Sequence, residues 1–125
     1  MQLQESKNRE TINIQSVQNR DGGIVLTIDQ EVFTEAVIID RHSVDIWNPD
    51  NSDALSDADF SWCADKDYEV VLLGTGNRLR FPDPSIRVLL AQLGTGLEVM
   101  DTSAACRTFN LLVSDDRRVA AALLP

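Results

Sequence analysis

The chain has 125 residues, 43% of them hydrophobic and 25% charged, so it holds enough apolar side chain for one core and too little length for two ordinary domains. Its formal net charge is −9, which argues against nucleic acid as a partner, because phosphate contacts need a basic surface. Cys63 and Cys106 stand far apart and His42 is the single histidine, so no zinc set of the usual spacing can be built and no cofactor is implied.

Residues 1–10 lack periodicity and read as a flexible tail, polar from the first residue, leaving 11–125 as a single domain. With no long apolar run and no signal-peptide pattern, the expectation is a cytoplasmic protein without membrane insertion. Thr11 to Val17 and Ile24 to Ile28 flank Asn19-Arg20-Asp21-Gly22-Gly23, the pattern of an antiparallel hairpin. Short strands are predicted at Val32-Phe33, Ala36 to Ile39 and Val44 to Trp47. Ser56 then offers an N-cap, with Asp59 in the position of a capping box, for a short helix from Asp57 to Ala64.

Val70 to Leu73 is continuously apolar, as a strand covered on both faces would be, and ends at Gly74. Arg78 and Arg80 alternate with Leu79 and Phe81, so an extended segment would put the guanidinium groups on one side and the apolar groups on the other. Asp83 and Pro84 open a helix whose Ile86, Leu89, Leu90 and Leu93 share a face, and Gly94 suits its left-handed cap. Leu97 to Met100 reads as a strand. Asp101, Thr102 or Ser103 can cap a helix with Ala105, Phe109 and Leu112 on one stripe, and Val119 to Leu124 is a last strand. This helix and strand alternation argues for α/β layering, with the early hairpin as a separate ribbon.

The tripeptide Gly-Thr-Gly occurs at 74–76 and again at 94–96. The first copy is not a phosphate loop: the lysine of a P-loop is missing, and Leu79 stands where the third glycine of a dinucleotide motif belongs. Asp101 at a helix start would take the free N–H groups itself and repel an anion, while Arg107 would pair with a carboxylate or a loop carbonyl. No GxSxG or other nucleophile and base arrangement is present, so no catalytic residue is assigned. Both cysteines read as small buried hydrophobes. Trp47 and Trp62 read as core, with an interface role as the alternative. Charge is uneven: residues 1–69 carry 15 acids and 5 bases, residues 70–125 carry 5 acids and 6 bases.

Taken in order, EVVLLGTG at 69–76, the proline-containing helix, LEVMDTSAACRTFNLL at 97–112 and RRVAAALL at 117–124 resemble the Mth938-like family, also catalogued as a domain of unknown function. The resemblance implies a three-layer α/β fold: a central mixed β-sheet with one strand antiparallel to the others, helices, and an extra antiparallel β-ribbon on one face. The family includes an assembly factor of a respiratory complex that works through protein contacts, and no catalytic residue carries over. The motif positions that do are Gly74, Thr75, Gly76, Met100, Asp101, Thr102, Arg107, Thr108 and Asn110. Two features depart from the family pattern: an acidic ribbon segment, DQEVFTEAVIID, and Asp116 where a turn often has glycine.

Two functions follow as expectations. One is a non-enzymatic interaction or assembly protein with a protein partner, met through an exposed apolar patch that includes Trp47 or Phe33. The other is a small-ligand or enzymatic domain, with Gly74 to Gly76 and Asp101 to Arg107 lining a cleft and Arg78 or Arg80 neutralising an anion.

Overall fold

In the computed structural model the described residues are 11–125; the tail expected at residues 1–10 lies outside them. Strands β1 (Ile14–Arg20), β2 (Gly23–Ile28) and β3 (Glu31–Phe33) form a three-stranded antiparallel ribbon in the order β1-β2-β3. The first turn needs two left-handed residues, and Asp21 and Gly22 supply them at φ 48° and 81°. Ile24, Leu26 and Ile28 alternate inward along β2 and are buried.

The second sheet has five strands in the order β5-β4-β8-β6-β7, formed by β4 (Val37–Asp40), β5 (Val44–Ile46), β6 (Val70–Thr75), β7 (Gly96–Met100) and β8 (Val119–Leu124). Strand β4 pairs antiparallel with both β5 and β8, whereas β6 pairs parallel with β7 and β8, so β4 alone runs against the rest. Every residue of β6 and β8 is buried, as expected of strands covered on both faces.

Helix α1 (Pro84–Gln92) and a 3-10 helix (Asp57–Cys63) lie on one face, where Ile86, Leu90 and Phe60 pack with Val71, Leu73, Ala120 and Ala122. Helix α2 (Thr102–Ser114) and the ribbon cover the other, where Phe109, Val113, Ile24 and Leu26 meet Leu72, Val70, Ala121 and Leu123. Three layers result, the ones implied by the resemblance.

The segment after Ser56 is helical where expected, but as a 3-10 helix. Both indole N–H groups, of Trp47 and Trp62, donate to the Asp59 carbonyl at 2.9 and 3.0 Å. An α-helical ladder would use that carbonyl for the amide of Cys63. The Asp59 carboxylate turns back to accept from the Ser56 amide at 2.8 Å, the reciprocal half of a capping box.

Candidate functional site

Strands β6, β7 and β8 run parallel, so their carboxyl ends meet at one edge, the place where open α/β sheets receive ligands. Thr102, the first residue of α2 and fully buried, closes that edge. Its Oγ1 accepts from the Gly76 amide at 2.8 Å and donates to the Leu124 carbonyl at 2.6 Å, while its own amide donates to the Gly76 carbonyl at 2.8 Å. One threonine thereby ties the ends of two strands to the start of a helix.

The two glycines of the first Gly-Thr-Gly are required for different reasons. A Cβ on Gly74 would lie 2.9 Å from Thr102 Oγ1 and 3.0 Å from both Thr102 Cα and Leu123 Cδ2, so only a bare backbone fits beside the helix start. Gly76 has φ +94°, outside the range an L side chain adopts comfortably. Between them, the Thr75 hydroxyl donates to the Arg78 carbonyl at 2.7 Å, with the Met100 carbonyl at 3.3 Å, and accepts from the Arg80 amide at 3.1 Å. Asp101 is the N-cap of α2, its Oδ1 accepting from Ala104 N at 2.8 Å.

Gly74, Thr75, Gly76, Met100, Asp101 and Thr102 are thus brought together. Arg107, Thr108 and Asn110 lie further along α2 and face elsewhere. Arg107 is exposed and makes no hydrogen bond or ion pair among the described residues, in place of the carboxylate or carbonyl partner expected for it. Thr108 is half-buried. Asn110 reaches the ribbon, where its Oδ1 accepts from Ile14 N and its Nδ2 donates to Ile14 O, both at 2.8 Å.

Beside the corner lies a recess of about 40 Å3, lined by Asp53, Leu55, Thr75, Arg80, Phe81 and Leu124 among others. It has room for a few water molecules. Arg80 turns toward it and pairs with Asp53, whereas Leu79 and Phe81 are 50% and 74% exposed. The regular alternation expected from Arg78 to Phe81 is absent because the segment is not a strand, and Thr75 binds both the Arg78 carbonyl and the Arg80 amide.

Trp47 is only 5% exposed and Phe33 packs against the core, so neither forms the outward patch expected of them. The exposed aromatic of this region is Phe81. Its signal in the sequence was its place at the end of the short alternation from Arg78 to Phe81, just before Pro82. Among the described residues no group of three or more His, Cys, Asp or Glu is placed to hold a metal. Cys63 and Cys106 are buried free thiols, and burial pushes each up to about 12; Arg107 beside Cys106 works the other way but does not offset it.

A mixed five-stranded sheet with β4 reversed, two helical faces and an added ribbon define a three-layer α/β protein of the Mth938-like kind. The chain belongs to the family described as protein of unknown function (DUF498/DUF598), whose profile matches residues 18–124. It is 34% identical over 96 residues to the Mus musculus protein named NADH dehydrogenase (ubiquinone) 1 alpha subcomplex assembly factor 3, covering 75% of this chain and 51% of that one. The chain therefore spans about half the length of that curated relative.

Among solved structures, a Bordetella parapertussis protein superposes with a TM-score of 0.80 at 31% identity, covering 92% of this chain and 96% of the other. A Bordetella pertussis protein described as a Mth938-like domain does so with a TM-score of 0.73 at 27% identity, covering 90% and 85%. Among the described residues no helix is long and apolar enough to cross a membrane.

Proposed function

We propose that this protein acts by holding another protein, as a non-enzymatic interaction or assembly module of the cytoplasm. The observation that carries the reading is the exposed pair Leu79 and Phe81, held beside a corner whose polar groups are consumed internally. An aromatic residue 74% exposed, on a segment pinned by Thr75, is a ready anchor for a protein surface. The name of the mouse relative, an assembly factor, supports the same class of role. In this reading Gly74, Thr75, Gly76, Met100, Asp101 and Thr102 serve as the scaffold of the surface, and Arg107 is free to meet an acidic group of the partner.

The test compares retention of proteins from the native cytoplasm by the immobilised chain and by the double variant Leu79→Ser, Phe81→Ser. The expected result is one or more retained proteins lost with the variant while its melting temperature stays within a few degrees. Unchanged retention by the variant would overturn the surface. A metabolite that raises the melting temperature, with no protein retained, would overturn the class.

A further inference from the structure

A second recess, of about 260 Å3, opens at the other end of the sheet, where β6 and β8 begin and β4 ends. Six residues of β8 separate it from the Thr102 corner, roughly 20 Å of strand. Three cationic side chains, Arg41, Lys66 and Arg118, line it together with the imidazole of His42. That concentration is notable in a chain of net charge −9.

The carboxylates in the same wall are already engaged. Asp40 accepts from the Tyr68 hydroxyl at 2.7 Å, from the His42 and Ser43 amides at 2.9 Å each, and from the Ser43 hydroxyl at 3.1 Å. Asp67 stands 3.4 Å from Arg118 Nε. The donors are less fully used. Arg41 binds Asp116 through Nη2 at 2.8 Å, but its Nε is a buried donor with no acceptor among the described residues. Lys66 makes no ion pair there, and the His42 ring makes no hydrogen bond. Tyr68 and Val119 add apolar wall.

We infer that this recess binds a small organic oxyanion, with its charged end between Arg41, Lys66 and His42 and its apolar portion against Tyr68 and Val119. Guanidinium donors favour carboxylate and phosphoryl oxygens, and a recess of this size accommodates a single ring with its charged group. The inference is independent of the protein-binding role proposed for Leu79 and Phe81, since it uses none of the same residues.

The experiment titrates the isotopically labelled full chain with benzoate, phenyl phosphate and inorganic phosphate, using benzyl alcohol as the uncharged control, and follows amide shifts at constant ionic strength. Saturable shifts confined to Asp40–Ser43, Lys66–Glu69 and Arg118-Val119 are expected, tightest for a ligand carrying both ring and charge. Lys66→Gln should weaken binding about fivefold, the upper range for a solvent-accessible ion pair, and Lys66→Arg should restore it. The same spectra show whether each variant is folded. Shifts that grow linearly with concentration, that scatter to Arg78 and Arg107, that benzyl alcohol reproduces, or that Lys66→Gln leaves unchanged would overturn the inference.

Discussion

Thr102 holds the corner through a hydroxyl that both accepts and donates inside the core. Thr102→Val keeps the shape but leaves the Gly76 amide and the Leu124 carbonyl without that partner, so a loss of about 2–4 kcal/mol is expected in urea unfolding. Thr102→Ser should keep most of it. Asp40 makes a second prediction. Burial opposes its charge, but hydrogen bonds from Tyr68, His42 and Ser43 together outweigh that cost and hold the carboxyl below its ordinary 3.8. A carboxylate whose folded-state pKa is depressed stabilises the fold above the unfolded value and loses that contribution as pH falls through the folded one. Tyr68→Phe should therefore cost about 1 kcal/mol near neutrality, with the gap to the wild type narrowing as the pH of acid-titrated melts falls below the ordinary carboxylate value of 3.8. The buried thiols give a third: an aromatic disulfide reagent at mildly alkaline pH should find neither cysteine in the native protein and both after unfolding, since both are buried and free.

At the scale of elements, much was legible because helix ends are written in local chemistry. Helix α1 ends with Gly94 N bound to Ala91 O and Thr95 N to Leu90 O, and Gly94 takes φ +79°. Helix α2 ends the same way, with Asp116 N on Val113 O and Arg117 N on Leu112 O, and there Asp116 takes φ +61°. The aspartate that departs from the family pattern occupies the left-handed position glycine would fill, and its carboxylate pairs with Arg41. The 3-10 form of the Asp57–Cys63 helix was not legible, because its cause is a carbonyl shared by two tryptophans, one of them 12 residues upstream. Asn110 makes the element-scale prediction. Its paired bonds to Ile14 fasten the ribbon to α2, so Asn110→Ala should cost about 1–3 kcal/mol and speed hydrogen exchange in β1 before the central sheet responds.

At the largest scale, apolar runs and alternation placed the eight strands of the described residues approximately, yet no local pattern contains the order β5-β4-β8-β6-β7. That order depends on contacts between residues as distant as Val37 and Leu123. The candidate site divides in the same way. Gly74 to Gly76 and Met100 to Thr102 could be read as two neighbouring strand ends, but that a threonine side chain fills the space between them is a matter of tertiary packing. The cluster of Arg41, His42, Lys66 and Arg118 had no sequence signal, because three separate stretches of chain supply it.

Strand β8 sits in the middle of the five-stranded sheet although it is the last strand in chain order. During synthesis β4 and β6 are therefore both made before the strand that joins them, each with an unpaired edge and an uncovered apolar surface. The sheet cannot close until Leu124 has left the ribosome, so folding waits for nearly the whole of this segment. A nascent chain arrested before Val119 should be cut by protease across β6, whereas one that has released Leu124 should resist.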